Sequence, residues 1–145
     1  MKELKVKGIE QGTVIDHIPA GRAPSVMRIL GSDGETTLCA MNVSSTKLGK
    51  KDVVKIEGKF LSAEQTNKLG LIAPTATISI IRDSAVAEKR KVEMPQILNG
   101  LVACPNPNCI SNDKEELVVS KLLKEQKTYR CYYCERSFDP KDLIA

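Results

Sequence analysis

Four cysteines in the last third of the sequence are spaced like the ligands of a metal ion. Cys104 and Cys109 are separated by four residues and Cys131 and Cys134 by two, with 21 residues between the pairs. Each pair lies in a turn-rich stretch that can aim two thiolates and several backbone amides at one point. Four thiolates suit a tetrahedral structural Zn²⁺ with no position left for a reacting water. The spacing therefore predicts one structural zinc ion per chain.

Two other interpretations of these cysteines remain open. Iron also occupies tetrahedral sites of four sulfurs, so the spacing does not choose between the metals. Two disulfides are the second alternative, but the sequence starts without the apolar stretch of a secretory signal. We therefore expect a cytoplasmic location, where disulfides are rare. The fifth cysteine, Cys39, lies in a predicted strand and is expected to be a buried small hydrophobe.

Lysines in the first part of the chain suggest a binding site for a small polyanion. Lys50, Lys51 and Lys55 are close together and are predicted to share one strand face, and Lys89 follows the last predicted strand. Converging lysines suit the phosphates of a nucleoside triphosphate, although surface lysines also occur simply as solvated side chains. The sequence has no Gx4GK(S/T) loop and no GxGxxG motif. A nucleotide would therefore be bound without being consumed.

The single histidine, His17, directly follows Asp16. Catalysis by an Asp-His pair also needs a nucleophile and an oxyanion site, and no motif in the sequence supplies them. Two interpretations remain. His17 is either a turn residue with satisfied hydrogen bonds, or one of two strand-end residues that contact a polar ligand.

Charge is distributed unevenly along the 145 residues. Residues 1–95 carry 15 basic and 11 acidic side chains, whereas residues 96–145 carry seven of each. We predict two domains with these bounds, the second being near the size that needs a metal for stability. A neutral cysteine-rich domain lacks the basic stripe that follows nucleic-acid phosphates. A zinc-ribbon nucleic-acid-binding protein is therefore only an alternative function, and a stand-alone enzyme is a third possibility. No apolar run in the sequence approaches the ~20 residues of a membrane-spanning helix.

Alternating apolar and polar residues predict four strands in the first domain: Leu4–Ile18, Thr36–Val43, Val53–Phe60 and Thr75–Arg82. Pro24 suits the first turn of one helix. Ser62 and Gln65 match a capping box at the start of a second helix, which is expected to end at Leu69-Gly70. The resulting order β-α-β-β-α-β is typical of a ferredoxin-like α+β sandwich.

The remaining residues are predicted to contain only short strands. Residues 83–95 are expected to form an extended connector or an edge strand that leads to a linker. The second domain is expected to be a small antiparallel β domain around the zinc, with short strands at Leu117–Val119, Lys127–Arg130 and Ser137–Phe138.

Five stretches together resemble the regulatory chain of aspartate carbamoyltransferase: Gly12–Ala20, Gly49–Glu57, Ala73–Thr77, Cys104–Ile110 and Cys131–Glu135. The resemblance runs over nearly the whole chain, and GTVIDHIPA and CPNPNCI are its most specific parts. It implies a non-catalytic allosteric subunit of pyrimidine biosynthesis whose first domain binds ATP or CTP and pairs with itself. It also implies that the zinc domain binds catalytic chains, in a dodecamer of two catalytic trimers and three regulatory dimers.

The same resemblance assigns roles to individual positions. Asp16 and Lys55 match base and ribose contacts, and His17, Lys51 and Lys89 match phosphate contacts. The other pocket positions are Ile9, Val14, Val53, Ser79, Ile81 and Val86. The positions that face the catalytic chain are Asn106, Asn108 and Glu135. The departures from the family pattern are Lys7 in place of Glu, Ser79 in place of Asn and Ser84 in place of Tyr, and they leave the effect of each nucleotide open.

Overall fold

The computed structural model describes residues 10–31 and 34–144. The chain divides into two compact units, Met1–Glu93 and Met94–Ala145, and each is described by itself. Two positions of the predicted pocket, Lys7 and Ile9, lie outside the described residues. Among the described residues, no helix has the length and hydropathy needed to cross a membrane.

The first unit contains two helices and a five-stranded sheet. Its elements are β1 (Gly12–Pro19), α1 (Ala23–Leu30), β2 (Thr37–Ser45), β3 (Gly49–Glu57), α2 (Ala63–Ile72), β4 (Thr77–Arg82) and β5 (Ala85–Lys91). The strand order is β2-β3-β1-β4-β5, and every neighbouring pair is antiparallel. The predicted α+β class and the order of elements are confirmed. β5 forms an edge of the described sheet, which is one of the two forms expected for residues 83–95.

Local sequence signals explain where the helices begin. Pro24 lies in the first turn of α1, where its missing N–H removes no helical hydrogen bond. The capping box of α2 is confirmed. The Gln65 backbone N–H donates to Ser62 Oγ at 3.1 Å, and the Ser62 N–H donates to Gln65 Oε1 at 3.0 Å.

The predicted end of α2 at Leu69-Gly70 is wrong. The helix continues to Ile72, and the Ala73 N–H still donates to the Leu69 carbonyl. Gly70 lies inside the helix and is buried. Its lack of a side chain therefore lets the helix pack closely at this position and does not mark the helix end. Pro74 follows directly and disfavours a helical conformation at Ala73.

The sheet has a buried face and a second face, called here the outer face, that the helices do not cover. Along β3 the buried residues are Asp52, Val54 and Ile56, and the half-exposed residues between them are Lys51, Val53 and Lys55. The core contains residues of β1, β3 and β4 such as Ile15, Val54 and Ile78, with Ala23, Val26 and Leu30 of α1. Since strand side chains alternate, Lys50 points opposite to Lys51. The prediction that Lys50, Lys51 and Lys55 share a face is therefore wrong for Lys50.

Two β-bulges flank the same part of β3. In β1, Asp16 and His17 together lie opposite Val53. In β2, two residues, the second of which is Asn42, lie opposite Asp52. His17 and Asn42 both have a φ of 58°, the left-handed conformation that bulges often require. β3 itself is regular and begins at Gly49, earlier than the predicted start at Val53.

Cys39 is exposed, so its predicted burial is wrong. It lies in β2, which forms the other edge of the described sheet and has no fully buried residue. An edge strand with little cover explains why an apolar sequence around Cys39 does not produce a buried side chain.

The second unit is a small antiparallel β domain, as predicted. Its strands are β6 (Ile97–Asn99), β7 (Lys121–Glu125), β8 (Thr128–Cys131) and β9 (Ser137–Phe138), in that order in the sheet, with 3₁₀ turns at Ile110–Asn112 and Pro140–Leu143. Its core consists of Leu98, Leu122, Tyr129 and Leu143 around the cysteines. The predicted strand at Leu117–Val119 is wrong. These residues lie in a loop, and the Leu117 side chain is 89% exposed.

Candidate functional site

The four predicted metal ligands converge on one point. Their sulfur atoms all lie within 4.8 Å of one another, with 3.7 Å between Cys104 and Cys134 and 3.6 Å between Cys109 and Cys131. A tetrahedron with Zn–S bonds of about 2.3 Å has edges of about 3.8 Å. A disulfide bond is far shorter, about 2 Å, and all of these cysteines are free. The geometry fits a tetrahedral metal ion, and the disulfide interpretation is wrong.

Backbone N–H groups surround the four sulfurs and suit negatively charged thiolates. Around the first pair, the donors are the amides of Asn106, to Cys104, and Ser111, to Cys109. Around the second pair, they are the amides of Tyr133 and Cys134, to Cys131, and Arg136, to Cys134. Such bonds delocalise the charge that four thiolates bring to one metal ion. The two turns are therefore built to hold a metal ion.

The thiols differ in how readily they lose a proton in the absence of metal. Burial raises the pKa of Cys104 to about 12. Burial by itself also raises the pKa of Cys109, but hydrogen bonds from the Ser111 hydroxyl and amide outweigh it and bring the pKa to about 7. The Cys109 Sγ–Ser111 Oγ distance is 3.1 Å. Because a metal must displace these protons, metal affinity falls as the pH falls.

Two asparagines hold the loop between Cys104 and Cys109, which sequence reasoning did not foresee. Asn112 Nδ2 donates to the Cys104 carbonyl at 2.8 Å and to the Asn106 carbonyl at 2.7 Å. Asn106 is only 8% exposed, and its side chain also bonds the sulfur of Cys134. Asparagine and serine directly around a cysteine pair are the sequence signal for such support.

The predicted contacts with a catalytic chain differ in accessibility. Asn106 is largely buried by its own unit, whereas Asn108 and Glu135 are exposed. Glu135 has a φ of 60° in the turn that carries the second cysteine pair. Asn108 and Glu135 are therefore open to a partner.

The outer face of the first unit brings four predicted pocket residues into one row. Val14 of β1 lies between Lys55 of β3 and Ser79 of β4, and Ser79 pairs with Lys89 of β5. Directly paired residues on one face have Cβ atoms about 5 Å apart. Four predicted pocket residues thus span four adjacent strands.

The other predicted positions on this face surround that row. Ile81 pairs with Val86 across β4 and β5. Lys51 and Val53 share the face of Lys55 along β3, by strand alternation. Val86 and Lys89 are exposed, and Ile81 is buried. The described pocket positions other than Asp16 and His17 thus lie on the outer face, and Asp16 and His17 lie in the adjoining bulge of β1.

An ion pair joins the bulge to the outer face. Lys51 Nζ lies 2.8 Å from Asp16 Oδ1, and the His17 backbone N–H donates to the same oxygen at 2.6 Å. Burial by itself raises the pKa of Asp16, but the hydrogen bonds from Lys51 and His17, with their charges, lower it below the ordinary value. Asp16 bonds the backbone of His17, and the His17 ring nitrogen Nδ1 lies 3.2 Å from Thr77 Oγ1. No bond from Asp16 to the ring is formed, so this pair is not arranged for proton relay.

Two clefts of different chemistry adjoin the outer face. One, of about 90 Å³, is lined by Leu38, Cys39, Ala40, Val53 and Lys55. The other, of about 230 Å³, is lined by His17, Lys47, Leu48, Lys91 and residues 74–77. The first is mainly apolar with one cation, and the second carries two lysines, a histidine and threonine hydroxyls. Lys47 and Lys91 were not among the predicted residues, although Lys91 shares the strand face of Lys89.

Comparisons with known proteins agree over both units. Residues 4–93 match the family model described as aspartate carbamoyltransferase regulatory chain, allosteric domain, and residues 96–144 match that of the same chain's metal binding domain. Curated relatives include the aspartate carbamoyltransferase regulatory chains of Pyrococcus horikoshii, 52% identical over 100% of this chain and 99% of that protein, and of Methanopyrus kandleri, 55% identical over 92% and 89%. That of Ignicoccus hospitalis is 52% identical over 99% and 96%.

Proposed function

The chain belongs to the family of aspartate carbamoyltransferase regulatory chains, and from this premise we propose how its two units work. It is a non-catalytic subunit with an allosteric domain and a metal-binding domain. The first unit binds ATP and CTP on its outer face. The second unit holds one structural zinc ion and binds the catalytic chain. Nucleotide binding thereby regulates the transcarbamoylase of pyrimidine biosynthesis in the cytoplasm.

The nucleotide proposal rests mainly on the distribution of side chains along the outer face, where apolar residues and lysines occupy different parts. Val53 and the cation of Lys55 line the apolar cleft, and Val14 pairs with Lys55 across β1 and β3. These residues suit a base and ribose. His17 lines the second cleft with Lys47 and Lys91. Lys51 pairs with Asp16 beside His17, and Lys89 shares the strand face of Lys91. These side chains suit a triphosphate. In this proposal the nucleotide acts as an effector and is not consumed.

Regulation requires that each nucleotide bind the two states of the holoenzyme with different affinity. Ser79 stands in the middle of the row, where the family pattern has Asn, and it offers one hydroxyl in place of an amide. Ser84 lies in the turn between β4 and β5. Because Ser79, Ser84 and Lys7 depart from the family pattern, the preference of this chain between ATP and CTP has to be measured.

Zinc is the metal that we propose for the second unit. Four thiolates at tetrahedral spacing leave no position for substrate, and the core that accompanies them is small. A bound metal supplies folding free energy to such a unit. Cys104, Cys109, Cys131 and Cys134 would hold the ion, with Asn106, Ser111 and Asn112 fixing the loops around them.

The partner proposed for the second unit is a catalytic chain, which the family name implies. Among the described residues of this unit, several large apolar side chains are exposed: Ile97, Ile110, Leu117, Val119, Tyr132 and Tyr133. Exposed apolar side chains of this number on a small domain suit a protein interface. Asn108 and Glu135 add polar contacts. We further propose that first units pair into regulatory dimers, three of which join two catalytic trimers.

Two experiments test this proposal. Thermal melting of the zinc-loaded chain with CTP, ATP or a single-stranded oligonucleotide separates effector binding from nucleic-acid binding. A rise in the midpoint with the nucleotides supports the proposal, and a rise with the oligonucleotide alone contradicts it. Co-purification with a transcarbamoylase catalytic chain should be lost when zinc is removed by a chelator. Retention of the partner by the metal-free chain would show that the second unit is not the docking module.

A further inference from the structure

Asp52 is a fully buried carboxylate in the first unit, and it ties three separate segments together. It is 0% exposed. Its Oδ2 accepts the backbone N–H groups of Gly21 at 2.9 Å and Ala23 at 3.0 Å, in the turn that leads into α1. Its Oδ1 accepts the N–H of Asn42 at 3.0 Å. One side chain of β3 therefore fixes the start of α1 and the bulge of β2.

Asp52 lies next to two β-bulges of the sheet. Both bulges lie beside it, because the bulge of β1 is opposite Val53 and the bulge of β2 is opposite Asp52 itself. A bulge leaves an amide without its ladder partner. In both bulges an aspartate accepts a hydrogen bond from a backbone amide. Asp52 accepts the N–H of Asn42 in the β2 bulge, and Asp16 accepts the N–H of His17 in the β1 bulge.

The neighbours of Asp52 in β3 are Lys51 and Val53, and both point to the outer face. Lys51 meets Asp16 there at 2.8 Å. Displacement of this end of β3 would move the lysine away from the carboxylate and would change the shape of the bulge that carries His17. The buried side of the strand thus sets the geometry of the exposed side.

We propose that Asp52 is a positioning residue for the effector pocket: by holding the end of β3 from the buried face, it places Lys51 against Asp16 and keeps the His17 bulge in shape for the nucleotide. Asp52 does not touch the nucleotide. This inference rests on the proposed function of the first unit, but the arrangement of Lys51 and Asp16 can be measured without any nucleotide.

The test compares Asp52→Asn with Thr13→Val in the full zinc-loaded chain. The asparagine keeps the shape but replaces one accepting oxygen with an NH₂ group that cannot accept an amide. Thr13 is also fully buried in the sheet and donates to the Lys59 carbonyl at 2.7 Å, so its replacement removes a partly buried hydrogen bond outside the pocket. CTP affinity is measured by calorimetry, and the pKa of Asp16 by NMR of ¹³C-labelled aspartate.

Asp52→Asn should weaken CTP binding by at least about tenfold and should raise the pKa of Asp16 toward its ordinary value. Thr13→Val should lower the melting temperature and leave both quantities unchanged.

The proposal is overturned if folded Asp52→Asn binds CTP like the original chain and keeps the Asp16 pKa low. If the original chain binds no CTP, the proposed function fails, and the Asp16 titration alone decides the role of Asp52. Should Asp52→Asn not fold, Asp52→Glu takes its place, with the same two expected results.

Discussion

Removal of the Asn112 side chain should loosen the metal site, although Asn112 is not a ligand. Its amide donates to the carbonyls of Cys104 and Asn106, at 2.8 and 2.7 Å, and so fastens the first half of the loop that presents the first cysteine pair. In Asn112→Ala both bonds are lost and the Cys104 carbonyl loses its side-chain donor. The cysteines remain in place, so the change acts on the positioning of the ligands.

The expected magnitude follows from the number of bonds lost. Each hydrogen bond contributes about 1 kcal/mol net, and two contribute about 2 kcal/mol to the loop in its metal-binding form. At 1.4 kcal/mol per decade, metal affinity should fall by about 30-fold, within the range seen when supporting residues of metal sites are replaced. Asn112→Asp should weaken binding further, because a carboxylate oxygen would then face a carbonyl oxygen.

The assay is competition between the chain and a chromogenic zinc chelator at constant pH. Asn108→Ala is the matched control, since Asn108 is exposed in the same loop and contributes its backbone N–H, which the substitution keeps. The control should retain zinc like the original chain. Equal zinc affinity of Asn112→Ala and Asn108→Ala would refute the view that Asn112 organises the site.

Three further predictions concern backbone strain and pH. Ser84 has a φ of 66° in the β4–β5 turn, so Ser84→Gly should increase the free energy of unfolding by about 0.5–1 kcal/mol, and a lower midpoint in urea would contradict the turn geometry. Glu135→Gly should relieve similar strain at a φ of 60°, raising the stability of the second unit while weakening co-purification with the catalytic chain. The lowered pKa of Asp16 means that its contribution to stability is present above its ordinary pKa and is lost as the pH falls through the lowered value. Asp16→Asn should therefore flatten the loss of stability as the pH falls below the ordinary aspartate pKa of about 3.9 and through the lowered value, and an unchanged acid profile would count against the Asp16–Lys51 pair.

The confirmed predictions rest on the periodicity of apolar residues and on the spacing of the cysteines. The strands and helices of the first unit alternate in the predicted order because each has its own apolar pattern, and Ser62 with Gln65 caps α2 through contacts within four residues. The convergence of the cysteines was also predictable, since metal coordination by Cys104, Cys109, Cys131 and Cys134 requires it. These features depend on local sequence or on one simple chemical constraint.

Features that depend on strand register could not be predicted from local sequence. The bulges of β1 and β2, and therefore the meeting of Lys51 with Asp16, appear only when the partners across the sheet are known. Cys39 has an apolar neighbourhood in sequence, but its strand lies at an edge and leaves it exposed. The bonds of Asn112 cross a loop to two carbonyls, and asparagine in a turn has many other ways to satisfy its amide.

Nucleotide binding to the outer face is tested most directly by a calorimetric titration of the zinc-loaded chain with CTP and ATP. Lys55→Ala and Lys50→Ala are compared, since Lys55 lies on the outer face and Lys50 has the opposite strand orientation. We expect one nucleotide to bind per chain, with binding strongly weakened by Lys55→Ala and retained by Lys50→Ala. Absence of binding by the original chain, or equal loss in the two variants, would contradict the assignment of the outer face as the effector site.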